Sequence, residues 1–150
     1  MHHRFMLEAL ALADEAGRQG EVPIGAVVVR GGEVVGRGYN LREQTQDPTA
    51  HAEVIAIREA AQRIGSWRLE RCTVYATLEP CAMCAGAMVL ARIERCVYGC
   101  ADPKGGFLGT LGDLSRWQGL NHGFDVEAGI EAEASRERLQ RFFRELRAKT

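Results

Sequence analysis

Arg71-Cys72-Thr73-Val74-Tyr75-Ala76-Thr77-Leu78-Glu79-Pro80-Cys81-Ala82-Met83-Cys84 is the stretch that decides the fold class. Arg71 to Thr77 mixes β-branched and aromatic residues and reads as a short strand. Pro80 suits a first helical position, where no N–H is needed, and the helix it opens runs to about Arg92. Arg95 to Cys100 is a strand again. Alternation of this kind puts helices on the faces of a single mixed or mostly parallel sheet.

The chain before this stretch supplies more of the same layers. Arg4 to Gln19 reads as a helix, with an apolar stripe of Met6, Leu7, Leu10, Ala11 and Ala13. Glu21-Val22-Pro23 turns out of it. Ile24 to Arg30 is almost continuously β-branched, Gly31-Gly32 is a two-residue turn, and Glu33 to Asn40 returns, which together spell a β-hairpin. Leu41 to Gln46 is a polar loop. Asp47-Pro48 looks like an N-cap followed by a first helical residue, so a helix is expected from there to Gly65, with His51 and Glu53 in its first turns.

Beyond Cys100, Ala101 to Gly112 is a Gly-rich loop. A short helix is expected over Asp113 to Trp117, a loop over Gly119 to Gly123 and a short strand over Phe124 to Glu127. Glu131 to about Lys149 reads as a terminal helix, with Leu139, Phe142, Phe143 and Leu146 on its buried side. The expected architecture is α/β: one domain over residues 1–150, three layers α-β-α, with a mixed five-stranded sheet and helices on both faces.

Composition excludes several classes. Apolar residues make up 46% of the chain and charged residues 26%, the balance of a globular protein rather than a disordered one. No apolar run approaches the roughly 18–20 residues that span a bilayer. Met1-His2-His3-Arg4 has no apolar segment behind it, so a cytoplasmic protein is expected, and His2 and His3 read as a frayed terminus. A net charge of −1 lacks the basic excess of a duplex-DNA binder. Five cysteines, an odd number without a secretion signal, argue for metal binding or burial rather than disulfides.

Cys81 and Cys84 lie three apart at a helix start and share one face. The helix N-terminus favours negative charge and hence thiolates. His51, at the start of a neighbouring helix, completes a His/Cys/Cys set at the carboxyl ends of strands, where open sheets keep their sites. Three protein ligands with a fourth position left to water are characteristic of catalytic zinc, which makes hydroxide available near neutral pH. Glu53, close to His51 but not squarely on its side of the helix, then suits a proton carrier rather than a fourth ligand. A structural zinc needs a fourth protein ligand, for which Cys72, Cys100 and His122 are the candidates, none with ligand spacing to the others. Cys72, Cys96 and Cys100 read as packing residues in apolar strands.

Together His51-Ala52-Glu53 and Pro80-Cys81-Ala82-Met83-Cys84 match the H-x-E…P-C-x-x-C signature of zinc-dependent nucleobase deaminases. More of the chain resembles the bacterial tRNA-specific adenosine deaminases of the cytidine-deaminase-like superfamily. The resemblance is carried by Glu21-Val22-Pro23-Ile24-Gly25-Ala26-Val27, Gly38-Tyr39-Asn40, Asp47 to Glu53, Thr77 to Met88, Asp102 with Lys104, Asn121-His122 and Phe142-Phe143-Arg144.

The resemblance implies one Zn2+ per subunit on His51, Cys81 and Cys84, with Glu53 as proton donor and acceptor. It implies that Asn40 hydrogen-bonds a flipped adenine, that the backbone around Ala52 faces the base edge, and that Asp102, Lys104 and Asn121 line the path of a tRNA anticodon stem-loop. The implied reaction converts a wobble adenosine to inosine, in a homodimer. By their residues alone, Asn40 equally suits a turn-satisfying role, and Asp102 and Lys104 suit solvated loop charges. Six cations on the terminal helix, from Arg136 to Lys149, suit either RNA phosphates or a solvated face.

One departure stands out. Where the family has a run of small residues, this chain has Gly106-Phe107-Leu108-Gly109-Thr110. That keeps a second substrate class in view, a free base or nucleoside such as guanine, cytosine or cytidine. A third reading, from another class, is a non-catalytic zinc-stabilised RNA-binding module.

Overall fold

The computed structural model describes residues 1–149; Thr150, the last residue of the expected domain, lies outside them. The elements in chain order are α1 (His2–Arg18), β1 (Gly25–Arg30), β2 (Glu33–Tyr39), α2 (Arg42–Thr45), α3 (Ala52–Ile64), β3 (Cys72–Leu78), α4 (Ala82–Ala91), β4 (Arg95–Cys100), β5 (Asp125–Glu127) and α5 (Ala132–Ala148), with a 3-10 turn at Leu114–Arg116 before β5. The sheet order is β2-β1-β3-β4-β5. β1 is antiparallel to both β2 and β3, while β3, β4 and β5 run parallel. The expected mixed five-stranded sheet is therefore the one observed.

β1 is buried along Gly25 to Val29 because it lies between two strands and under helices on both faces. Alternate side chains feed two cores. Ala26, Val28, Val74, Cys96 and Tyr98 point to one face, where Ala52, Ala56 and Ala60 of α3 and Ala85 and Met88 of α4 cover them. Val27, Val29, Tyr75 and Val97 point to the other, under Phe5, Met6, Ala9 and Leu10 of α1. These α1 residues recur at helical spacing, which is why one stripe of the helix is buried. α3 lies very close to β2: a Cβ at Gly38 would overlap the carbonyl oxygen of Ala52. That close approach seats the first turn of α3, and with it His51, over the sheet.

Four expectations are corrected. The helix expected from Asp47-Pro48 starts at Ala52, with His51 as its N-cap in extended conformation. The Asp47 carboxylate instead accepts from the backbone N–H and hydroxyl of Thr49, a local turn that competes with helix. Leu41 to Gln46 is not all loop. It contains α2, whose Glu43 and Gln44 N–H groups donate to the buried carboxylate of Glu21 at 3.0 and 2.7 Å, a cap some twenty residues away in sequence.

The C-terminal half of α5 is barely buried: Phe143 is 41% exposed and Leu146 49%. Leu139 and Phe142 are half-buried, and the buried residue of α5 is Ser135, which packs on Gly99 of β4. His2 and His3 are not frayed. His2 Nδ1 lies 2.7 Å from the Tyr75 hydroxyl and His3 Nδ1 2.7 Å from the Glu131 carboxylate, which ties the start of α1 to the sheet and to the start of α5. Among the described residues no helix is long and apolar enough to cross a membrane.

Candidate active site

His51 and Cys81 occupy equivalent positions, the N-caps of α3 and α4, and both are extended there. Cys84 sits in the first turn of α4 and is fully buried. The two helix starts lie side by side beyond the carboxyl end of β3, so residues thirty apart in sequence meet. His51 Nδ1 is 3.6 Å from Cys81 Sγ and 3.5 Å from Cys84 Sγ. In a tetrahedral zinc centre, bonds of about 2.05 Å to nitrogen and about 2.3 Å to sulfur separate an N and an S donor by about 3.6 Å. The donor set and its spacing fit zinc. All three donor atoms lie within 4.8 Å of one another, and no fourth His, Cys, Asp or Glu among the described residues joins them.

The candidates for a fourth ligand have other roles. Cys72 is buried at the opposite end of β3. Cys100 points its thiol toward the Thr77 carbonyl at 3.9 Å, and His122 Nε2 pairs with the Ile93 carbonyl at 2.7 Å. The site is thus of the three-ligand kind that leaves a position open. The three donors are placed to hold one zinc ion.

Hydrogen bonding to Cys84 and to His51 pulls the Cys81 thiol down to about 4, so it is a thiolate at neutral pH. Cys84, as the partner that keeps its proton in that pairing and is itself buried, is pushed far up. His51 is raised by its hydrogen bond to Cys81. Glu53 is 4% exposed, and burial pushes its carboxyl up to about 7, with the Cys81 charge adding to the rise. A carboxyl that protonates near neutrality is suited to moving protons in both directions.

The donors face a cavity of about 250 Å3, smaller than the roughly 300–1,000 Å3 of drug-sized ligand sites and of the size of a single heterocycle. Asn40, Ala52, Glu53 and Asp102 line it together with His51 and Cys81. Asn40 is 5% exposed; its side-chain N–H donates to the Val22 carbonyl at 3.4 Å, and its oxygen accepts from Arg42 N at 3.1 Å. Asp102 is half-buried, and its carboxylate accepts from Lys104 N at 3.0 Å. Lys104 is exposed and lines an adjoining groove with Arg136 and Phe143 rather than the cavity itself. Asn121 is exposed and is not among the residues lining the cavity.

Six lining residues escaped the sequence reading as site residues: the apolar Val22, Ile24 and Leu78, and Arg42, Glu79 and Phe143, which bring charge or an aromatic ring. Arg42 was read as loop. Phe143 was assigned to the core, although its exposure leaves it at the cavity rim. The only sequence signal for Glu79 is a carboxylate embedded between a buried strand and Pro80. Phe107 and Leu108 do not reach the cavity. Leu108 is 3% exposed within the core, and Phe107 packs against it from the rim of that core.

A three-layer α-β-α fold with a His/Cys/Cys zinc site and a buried glutamate at paired helix starts defines a zinc-dependent hydrolytic deaminase. The family model of the cytidine and deoxycytidylate deaminase zinc-binding region matches residues 1–100. A tRNA-specific adenosine deaminase of Bacillus subtilis (strain 168) is 51% identical over 145 residues, covering 97% of this chain and 90% of the relative. A chain solved in studies of A-to-I editing by tRNA:A34 deaminases at the wobble position of transfer RNA superposes with a TM-score of 0.87 at 43% identity, covering 91% of this chain and 99% of that one. A guanine deaminase from Bacillus subtilis is similar with a TM-score of 0.64 at 40% identity, over 67% of this chain and 65% of that one. The chain belongs to the zinc-dependent cytidine and deoxycytidylate deaminase family, in its tRNA-specific adenosine deaminase branch.

Proposed function

We propose that this protein hydrolytically deaminates adenosine to inosine at the wobble position of a tRNA anticodon, with Glu53 as its proton carrier. The observation that carries the reading is the base-sized cavity whose wall holds Glu53, His51 and Cys81 together with Asn40, Asp102 and Phe143, with Cys84 completing the donor set beside it. Zinc in a three-ligand setting supplies a Lewis acid that makes water nucleophilic at neutral pH. The protein's own residues do the rest. The start of α3, with Ala52 in the cavity wall, sets the depth at which an extruded base stops. Glu53 takes one proton from the attacking water and gives it to the ring nitrogen as C6 of the adenine is attacked, then takes the proton of the new C6 hydroxyl and gives it to the amine that departs as ammonia. Phe143, aromatic and half in solvent, is a stacking platform for a neighbouring base, the usual way single-stranded RNA is held.

The protein's near-neutral charge restricts phosphate binding to local cations. Arg42, Lys104 and Arg136 lie around the cavity and its adjoining groove. Cytoplasmic residence follows from an RNA substrate of this kind.

Guanine is the competing substrate, favoured by the likeness to a guanine deaminase. The inward packing of Phe107 and Leu108 takes away one of the two features that pointed to a small-molecule substrate; the near-neutral charge is the other. A non-catalytic RNA-binding role leaves both the open zinc position and the buried Glu53 without purpose. The deciding experiment incubates the zinc-loaded protein with an anticodon stem-loop bearing a wobble adenosine, and separately with free guanine, cytosine, cytidine and adenosine. Inosine in the stem-loop is the expected outcome. Ammonia release from a free base or nucleoside with the RNA unchanged would replace this reading.

The same reading includes a homodimer. The outer face of α4 presents Met83, Gly86, Ala87 and Leu90, continuous with Leu114 and Leu120. Leu90 is 70% exposed and Leu120 43%. A contiguous apolar surface on a helix of small residues suits a self-complementary contact. Leu90→Glu is expected to convert a dimer to a monomer in light scattering at micromolar concentration. A dimer that survives Leu90→Glu combined with Ala87→Arg would place the contact elsewhere.

A further inference from the structure

Glu79 is 2% exposed, yet it lies outside the zinc donors and beside a loop rather than beside the metal. Its two carboxylate oxygens accept four hydrogen bonds from the loop that follows β4. One oxygen accepts from Asp102 N at 3.0 Å and from the Thr110 hydroxyl at 2.5 Å. The other accepts from Leu108 N and Thr110 N, both at 3.1 Å. Pro80, the next residue, accepts from Phe107 N at 2.9 Å. The loop wraps the carboxylate so closely that a Cβ at Gly106 would overlap it, so the Glu79 carboxylate in this place requires glycine at 106.

Every donor in this nest is a backbone N–H or a hydroxyl of residues 102–110, and among the described residues no cation shares it. A buried carboxylate is tolerated only when its lone pairs are filled in this way. The nest is a local organiser: it sets where Asp102 stands, and Asp102 is a wall of the substrate cavity. The loop has no regular secondary structure of its own to hold it, apart from a bridge between Leu108 and Asp113.

We propose that Glu79 is a positioning residue that shapes the 102–110 rim of the cavity for RNA, acting through the backbone of Asp102, Leu108 and Thr110 and taking no part in the deamination chemistry. The kinetic part of this rests on the RNA-substrate reading above; the structural part does not.

Glu79→Gln is a sharp probe because its consequences differ between the two oxygens. An NH2 group on the Leu108/Thr110 side would oppose two N–H donors. On the Asp102 side it opposes one, because the Thr110 hydroxyl turns to accept. The amide therefore settles with its NH2 toward Asp102 N, and the bond holding Asp102 is the one lost. Thr110→Val is the milder variant: Thr110 is exposed, and the change removes only the hydroxyl bond.

The test measures backbone hydrogen exchange, zinc content, and steady-state kcat and KM on the anticodon stem-loop, for the zinc-loaded wild type, Glu79→Gln and Thr110→Val. In Glu79→Gln, exchange at Asp102 should quicken by roughly tenfold or more while the sheet and α3 stay protected. KM should rise by about tenfold with kcat within about threefold and zinc unchanged, the pattern of lost substrate binding. Thr110→Val should move KM the same way by a smaller factor.

Unchanged exchange at Asp102, Leu108 and Thr110 in both variants overturns the proposal. So does a fall in kcat with KM held, or exchange rising throughout the protein together with zinc loss. Should Glu79→Gln not fold, the sign of the Thr110→Val shift in KM decides. Should the wild type leave the stem-loop unmodified, the substrate reading fails, and the exchange pattern still decides whether Glu79 holds the loop.

Discussion

Glu53→Ala is expected to lower inosine formation by roughly 10^2–10^4-fold, the contribution typical of a positioned general acid–base group, while the protein still carries one zinc per chain. The two halves of this expectation come from different observations. Glu53 is not among the three donors that converge on the metal position, so its removal leaves them in place. Its carboxyl is buried in the first turn of α3 and pushed up to about 7. A carboxyl raised in this way by burial is able to receive a proton and to give one up in the same cycle. Glu53→Gln tests the same point without opening a void, since the amide fills the volume but cannot accept and return a proton. Nucleoside analysis of the digested stem-loop gives the activity, and metal analysis gives the zinc. Turnover of Glu53→Gln within about threefold of wild type would end its assignment as proton carrier, and loss of zinc in the same variant would make it a ligand.

The parts of this molecule that were legible in its sequence are those governed by neighbours in the chain. The Gly31-Gly32 hairpin and the succession Cys72–Leu78, Ala82–Ala91, Cys100 depend on turn chemistry and residue type over a few positions. The metal donors were legible because zinc demands particular side chains at particular spacing, and few other uses need Cys81 and Cys84 near a helix start.

What was not legible depends on partners distant in sequence. α2 exists because Glu21 caps it from another segment. α3 starts late because Asp47 bonds to Thr49, and either outcome suits the local sequence Asp47-Pro48-Thr49. Phe143 has the periodicity of a core residue, and only the placement of the end of α5 beside the cavity shows it to be a rim residue. Glu79 and Glu21 follow the same logic. Each is a buried carboxylate answered by backbone N–H groups more than twenty residues on, a pairing that no local pattern encodes.

Removal of zinc by a strong chelator is expected to abolish activity, at least about a thousandfold, and to lower the melting temperature while leaving the fold intact. The metal would tie the starts of α3 and α4 together through His51, Cys81 and Cys84, while Ala52 and Ala56 of α3 and Ala85 and Met88 of α4 already share one core without it. The cores above and below the sheet, around Val28, Val74 and Met88 and around Phe5, Leu10 and Tyr75, do not include those three residues apart from their neighbours in the helices. The metal-free chain should therefore keep its circular dichroism spectrum.

A ligand present at about 1,000 times its dissociation constant stabilises the folded state by about 4 kcal/mol. In a chain of this size that corresponds to a fall in melting temperature of roughly 10 °C on removal. Cys84→Ser should act in the same direction even with zinc in excess, because a buried hydroxyl is a poor substitute for a thiolate. Restoration of both activity and melting temperature by zinc closes the cycle. A metal-free protein that loses its spectrum altogether would show the metal to be a folding element, and one that keeps turning over would remove it from the chemistry.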